Sequence, residues 1–285
     1  MRSLARLEPV DYLLVGHLSR DLTPDGDRLG GTVAYSALTA RALGLRVGVV
    51  TAWGGEFPIE GRLPGVSVVI RDADHSTTFE NRETPQGRVQ ILSTRAPKLG
   101  FEHIPETWRN APMVHLAPVA QEVDPDLVRR FPNAKIFATP QGWLRSWNAA
   151  GRVTLAEEWP EASFVLNRLT AAVISAEDLN YDEERIEEMT IASQVLAVTE
   201  GGEGVRVYWY GDARRIRPLD VDAVDTVGAG DIFAAAFFHR LETTGDPWEA
   251  ARFASVLAGI SVTRRGLASV PTPAEVEAAK VEVLV

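Results

Sequence analysis

The segment Asp225-Thr226-Val227-Gly228-Ala229-Gly230-Asp231 sets a carboxylate at each end of a glycine-rich turn, and the apolar run Ile232-Phe233-Ala234-Ala235-Ala236-Phe237-Phe238 follows at once. Glycines at 228 and 230 permit positive φ angles and close backbone approach. A helix starting there aims its unpaired amides and the positive end of its dipole into the turn. That geometry suits a phosphate, or the negative charge that builds on a phosphoryl group in transfer. Asp231 stands at the mouth of such an anion hole, able to take a proton from an incoming hydroxyl. The same letters also describe an aspartate capping a helix after a tight glycine turn. Both readings stand at this point.

Other polar residues carry paired readings of the same kind. Asp21 follows the apolar run 12–15 and Gly16. A carboxylate just past the C-terminal end of a buried strand lies where α/β sheets bind ligands and can accept two hydroxyls; it can also serve the turn that follows. Gly30-Gly31 either opens backbone amides to substrate oxygens or only starts a helix. Gln141 and Arg145 either hold substrate hydroxyls or phosphate, or form a turn and a solvated surface charge. His17 reads as a satisfied polar side chain near the proposed substrate end of the first strand. Trp143 and Trp147 read as a packed helical pair as readily as a sugar-stacking platform. The acidic run 177–188 reads as a solvated helix face.

The elements that must position these residues alternate short apolar runs with longer amphipathic stretches, as βαβ units do around a mainly parallel sheet. Strands are expected over 12–15, 47–52, 113–116, 135–138, 163–166 and 195–199. Helices are expected over 33–43, stopped by Gly44, and over 232–241 and 247–263. The region 66–93 breaks the rhythm. Its strand-like runs, separated near 72–74 and at Pro85-Gln86-Gly87, read as a hairpin insertion, either a lid over a cleft or an edge extension of the sheet.

The chain has 285 residues, enough for one α/β domain over 1–285, and 45% of them are hydrophobic. The absence of cysteine excludes thiol catalysis, disulfides and Cys-type zinc sites. The five histidines lack ligand spacing, so no zinc site is expected. A formal net charge of -10 argues against a nucleic-acid partner. The start of the chain, with Arg2 and Arg6, lacks the apolar core of a signal peptide, and no window is long enough for a membrane span, so a cytoplasmic protein is expected. The turn Gly201-Gly202-Glu203-Gly204 lacks the G-x-G-x-x-G spacing, which argues against a dinucleotide oxidoreductase.

Taken together, Asp225 to Asp231 resembles the DTxGAGD signature of the ribokinase-like (PfkB) carbohydrate kinases, and four further motifs follow the family's order. Gly16 to Asp21 resembles the first strand and substrate-binding aspartate, and Gly30-Gly31 with its helix resembles the glycine pair. Thr199 to Gly204 resembles the TxGxxG turn bordering the nucleotide. The stretch 253–266 resembles the helix and loop flanking the adenine and a monovalent-cation site. The resemblance implies a three-layer α/β/α sandwich with a small β lid over about 66–93. It implies Asp231 as the catalytic base, with Gly228, Ala229 and Gly230 in the anion hole, and Asp21, Gly30 and Gly31 on the acceptor. Thr199, Gly201, Gly204, Thr226, Gly228, Gly230 and Asn167 would then hold ATP. Mg²⁺ would arrive with the nucleotide, helped through water by Asn167, and Asp225 would border a K⁺ site.

Within the family, Val15-Gly16-His17 and Gln141-Gly142 with Arg145 look most like the myo-inositol kinases, which points Gln141 and Arg145 at a polyol or sugar. Two departures matter. The asparagine that many members carry after the glycine pair is replaced by Thr32-Val33-Ala34-Tyr35. The NxxE element falls on Asn167-Arg168-Leu169-Thr170, with Thr170 in place of the glutamate, which leaves the divalent-ion site in question. A nucleoside kinase and a non-catalytic sugar- or nucleotide-binding homologue remain open, as does a homodimer through the lid.

Overall fold

The computed structural model describes residues 7–24, 26–84 and 87–282. The stretch with Arg2 and Arg6, and the Pro85-Gln86 pair of the expected turn, lie outside the described residues. The elements in chain order are β1 (Tyr12–Val15), β2 (Ser19–Thr23), β3 (Gly26–Gly30), α1 (Thr32–Ala42), β4 (Val47–Trp53), β5 (Val66–Asp72), β6 (Thr77–Thr84) and β7 (Gly87–Thr94). They continue with β8 (Met113–Leu116), β9 (Lys135–Ala138), β10 (Arg145–Trp147), β11 (Val153–Leu155), α2 (Ala162–Leu166), β12 (Ala171–Ser175) and α3 (Glu183–Ala192). The last are β13 (Val195–Thr199), β14 (Val205–Trp209), β15 (Asp212–Ile216), α4 (Ala229–Thr244), α5 (Pro247–Ser261) and α6 (Pro273–Glu282).

The main sheet runs β15-β14-β13-β12-β9-β8-β1-β4-β5. Its strands pair in parallel from β5 to β13, and an antiparallel pair, β14 and β15, closes one edge. β1, β4 and β8 are buried along their whole length, which explains their unbroken apolar letters: both faces of a parallel sheet are covered. Alternate residues divide between two cores. Tyr12, Leu14, Val47 and Val49 pack under α1, α4, α5 and α6. Leu13, Val15, Val50 and Val114 pack on the other face with α2 and α3. This is the expected three-layer sandwich.

Two local readings are corrected. The segment 163–166 is not a strand; it lies in α2, whose Val165 and Leu166 are buried. The strand is Ala171–Ser175. A short apolar run has no period long enough to tell the two apart. Trp143 and Trp147 are not a helical pair: Trp143 stacks on Trp159 at 5.5 Å, and Trp147 lies in β10 with the Arg95 guanidinium 5.3 Å from its ring.

The region 66–93 divides. β5 pairs in parallel with β4 and is the edge of the main sheet. Only β6 and β7 enter a second sheet, of order β3-β2-β6-β7, to which the residues after β1 contribute a hairpin. The edge of β7 is met in turn by the β10-β11 hairpin, through Leu92 N–H to the Gly151 carbonyl at 2.8 Å and a bridge from Ile91 to Arg152. Phe79, Leu92, Val119 and Ala120 form a small core at this junction.

His17 ties the second sheet to the first. It is fully buried, its Nδ1 lies 2.6 Å from Thr77 Oγ1, and its Nε2 lies 3.0 Å from the Pro97 carbonyl. Thr77 Oγ1 also accepts from the Ala96 amide at 3.0 Å. One imidazole thus joins the three crossings, at 17, 77 and 96–97, where chain passes between the sheets. This is the satisfied polar role expected of it, and burial depresses its pKa.

Candidate active site

A cleft of about 1310 Å³ opens at the C-terminal ends of the parallel strands, under the second sheet. At its centre is the start of α4. Gly228 occupies the N-cap with φ 83°, and no side chain caps the helix. That φ suits glycine, and a Cβ there would fall 2.3 Å from the Tyr35 ring. Asp231 is therefore not a capping residue: it sits within the first turn of the helix. Ser36 Oγ donates to the Asp231 carbonyl at 3.0 Å and anchors the helix start to α1. The Ala229 amide turns back to Thr226 and the Ile232 amide to Gly228. Among the described residues, the amides of Gly228, Gly230 and Asp231 are the ones this turn offers to a ligand. Nothing lies within 4 Å of where a Gly230 side chain would be, so this turn faces open space.

Burial pushes the Asp231 carboxyl up to about 6; the Thr32 hydrogen bond opposes that, the charges of Asp178 and Asp21 add to it, and Arg145 counters it. A carboxylate poised there is ionised at neutral pH yet basic enough to accept a proton. Tyr35, beside it, has its phenol pKa raised by burial and by Asp231, Asp21 and Asp225.

Asp21 projects from β2 into the same cleft, with Ser19 Oγ donating to its Oδ1 at 2.8 Å. Gly30 lies opposite on β3, outside the lining. A Cβ there would fall 2.0 Å from Asp21 Oδ2, so this glycine leaves the room the carboxylate occupies. Gly31, Gln141 and Arg145 line the same cleft. Arg145 is no solvated surface charge. Its Nη2 donates to Gln141 Oε1 at 2.8 Å, its Nη1 donates to the Val119 carbonyl at 3.0 Å, and Asp178 lies 3.7 Å away.

Toward β13 the lining includes Thr199, Gly201, Gly204 and Thr226, with Ser255, Ala258, Gly259 and Val262 from α5 and its end. Small residues on α5 leave a slot beside the glycine turn. Asp225 stands behind the lining: its Oδ1 accepts from the Val227 amide at 3.0 Å and its Oδ2 from the Gly266 amide at 3.4 Å, so the two loops expected to border a cation do meet.

Asn167 is placed elsewhere. It ends α2, ahead of β12 and therefore at the opposite end of the sheet from the cleft, and its amide donates to the Ser163 carbonyl at 2.7 Å. Thr170 also precedes β12. The run 163–166 that precedes Asn167 is helical, and the strand that leads into the cleft is β12. The residues that enter the cleft after β12 are Ser175, Glu177 and Asp178. Their sequence signal was present but absorbed by the acidic run, of which only the later part forms a solvated helix, capped by Asp182.

No group of three or more His, Cys, Asp or Glu among the described residues could hold a metal by itself. Ser175 and Glu177 fit the lighter task of meeting Mg²⁺ carried on phosphates, an ion that keeps several waters and takes one or two carboxylates. No helix among the described residues is long and apolar enough to cross a membrane.

A doubly wound sheet with an anion-binding helix start, an adjacent carboxylate and a separate small sheet above the cleft defines a phosphotransferase of the ribokinase-like fold. The family model described as pfkB family carbohydrate kinase matches residues 65–275, and the chain belongs to that family. It is 28% identical over 252 residues to a cytidine kinase of Thermococcus kodakarensis, covering 80% of this chain and 87% of that one. It is 26% identical over 292 residues to an ATP-dependent ribose-1-phosphate kinase of Halopiger xanaduensis, covering 92% and 95%. Among solved structures, a pyrophosphate-dependent kinase in the ribokinase family, complexed with a pyrophosphate analog and myo-inositol, superimposes with a TM-score of 0.77 at 20% identity, covering 94% of this chain and 99% of that one.

Proposed function

We propose that this kinase transfers the γ-phosphoryl group of ATP to a hydroxyl of a small polyol or sugar, with Asp231 as the general base. The observation that carries the reading is the pairing of Asp231 with the Gly230 and Asp231 amides in one helix turn, while the carboxylate of Asp21 faces the same space. The acceptor lies against Asp21 and Gly31, with Arg145 in reach. Its hydroxyl gives a proton to Asp231 as the oxygen attacks phosphorus in line. The O–P bond forms, the bond to the bridging oxygen breaks, and ADP leaves with that electron pair. The first-turn amides stabilise the charge on the transferring group. Ser175 and Glu177 would hold Mg²⁺ carried on the nucleotide, and the ion would neutralise phosphate charge. The sheet β3-β2-β6-β7 excludes water, the competing acceptor. A K⁺ ion beside Asp225 would strengthen the anion hole.

A nucleoside acceptor is the second reading, favoured by the likeness to a cytidine kinase over most of that protein's length. The non-catalytic reading loses its ground, because Thr170 lies ahead of β12 and Glu177 and Asp178 bring carboxylates to the cleft. The test is ADP release with ATP and Mg²⁺ against myo-inositol, ribose, ribose 1-phosphate, fructose and cytidine, with and without K⁺, repeated with pyrophosphate as donor. Acceleration by a polyol or free sugar above the acceptor-free rate supports the proposal. Acceleration by cytidine alone selects the second reading. No acceleration by any acceptor, or full turnover by Asp231→Asn, refutes it.

A further inference from the structure

Glu122 is fully buried and stands outside the lining of the cleft, yet its carboxylate organises the loop after β8 that borders it. Its Oε1 accepts from the His17 amide at 2.9 Å and from the Val119 amide at 3.0 Å. Its Oε2 accepts from the Val119 amide at 3.0 Å and from the Ala120 amide at 2.7 Å. All three partners are N–H donors, as a carboxylate requires. A trans peptide unit is planar, with its N–H and C=O pointing opposite ways, so a group that holds one end also aims the other. The unit joining Val119 to Ala120 gives its N–H to Glu122, and its C=O accepts from Arg145 Nη1 at 3.0 Å. The unit joining Pro118 to Val119 also gives its N–H to Glu122. Its C=O accepts from the Gly142 amide at 3.1 Å, in the turn that carries Gln141. In the Val119–Ala120 unit the positive end of the peptide dipole meets an anion and the negative end a cation, so each bond strengthens the other.

We infer that Glu122 is a positioning residue for Arg145 and Gln141, acting on them through these two peptide units rather than by contact. The inference rests on the reading that the acceptor lies within reach of Arg145. Without the carboxylate, the three amides face no acceptor in a site closed to water, and buried amides left unpaired turn toward any carbonyl they can reach. Turning the Val119–Ala120 unit carries the Val119 carbonyl away from the guanidinium. Arg145 then keeps Gln141 Oε1 at 2.8 Å and Asp178 at 3.7 Å, and it is no longer held from the side of the loop. The effect falls on the acceptor side of the cleft. The donor side, toward Thr199, Gly201 and α5, has no part in these bonds.

The test first reads Arg145 without turnover. In the free protein, ¹⁵N NMR of the arginine side chains reports how fast each guanidinium rotates, and the Arg145 signals are assigned by their loss in Arg145→Met. Glu122→Gln sets a side-chain nitrogen against a backbone N–H, so the peptide should turn and the rotation should quicken at least about tenfold. Glu122→Asp keeps the charge but draws it back, and it replaces the glutamine variant if that one does not fold. Steady-state kinetics then follow with the acceptor that accelerates turnover. Glu122→Gln should raise its KM at least about tenfold, while the ATP Kd, measured by calorimetry, stays unchanged. In an Arg145→Met background the same substitution should raise that KM by less than about threefold, because the group it acts through is gone. A variant that is only less stable in urea, with unchanged guanidinium rotation or unchanged acceptor KM, overturns the positioning role. So do effects of Glu122→Gln and Arg145→Met that multiply in full. Quickened rotation in a protein whose turnover no acceptor accelerates would refute the proposed function and leave the hold of Glu122 on Arg145 standing.

Discussion

Replacing Asp231 by asparagine tests the site through stability as well as rate. The Asp231 carboxyl is raised from 3.8 to about 6 in the folded chain, chiefly by burial. A raised carboxyl favours the folded state fully below the unfolded pKa, and that advantage is lost as pH rises through the folded value. At pH 7.5 the ionised wild-type group therefore costs about 3 kcal/mol, from a shift of about 2 units at 1.36 kcal/mol each. The partly open cleft brings this nearer 2 kcal/mol. Asparagine has the same shape and carries no charge, so Asp231→Asn should be more stable than wild type by that amount. With an unfolding entropy of about 0.6 kcal/mol/K for a chain of this length, the midpoint of thermal unfolding should rise by about 3–5 °C. Urea unfolding at pH 7.5 and 4.5 supplies the control. At the lower pH the wild-type group is largely protonated when folded, and the gain should shrink to about a third. The same substitution should lower kcat by at least about 100-fold, and wild-type kcat/KM should fall with a midpoint near 6 as the base protonates. A variant no more stable than wild type at pH 7.5, or stabilised equally at both pH values, would refute the account of a base held in a costly site.

Further outcomes follow from single contacts. Gly30→Ala puts a Cβ 2.0 Å from Asp21 Oδ2; displacing that carboxylate should raise the acceptor KM at least about tenfold, while the nucleotide Kd, measured by calorimetry, stays unchanged. His17→Ala strands the Thr77 hydroxyl and the Pro97 carbonyl at the crossing between the sheets, and should destabilise the fold by about 2–4 kcal/mol in urea. Equal stability would show that the imidazole is not what joins the sheets. Glu177→Gln removes a cleft carboxylate and should raise the Mg²⁺ concentration for half-maximal rate by about three- to tenfold; an unchanged Mg²⁺ titration would exclude Glu177 from that role.

Much of this was legible in the letters because it is local. The glycine turn and the apolar run after it specify a helix start with free amides, since few other residues adopt the φ of Gly228. The end of α1 at Gly44, with φ 91°, is of the same kind. Buried parallel strands announce themselves as short apolar runs between helices, and β1, β4, β8, β9 and β13 stand where such runs lie. The exception, α2, is five residues long and no more periodic than a strand. Asn167, expected on the phosphate side, follows this helix and lies at the other end of the sheet.

By itself, then, the sequence determined the chemistry that the start of α4 can perform and the layered sheet that presents it, because turn conformation and burial pattern are properties of neighbouring residues. What surrounds Asp231 was decided only by the tertiary structure. Gln141 and Thr32 are 109 positions apart, and Ser36 and Asp231 are 195 apart; parallel crossovers bring them together at the strand ends, and no local pattern encodes such a meeting. The aspartate that could have been a helix cap is a poised carboxylate for the same reason. The helix start it sits on is anchored by Ser36 of another helix, and Arg145, which counters its acidic neighbours, comes from a hairpin.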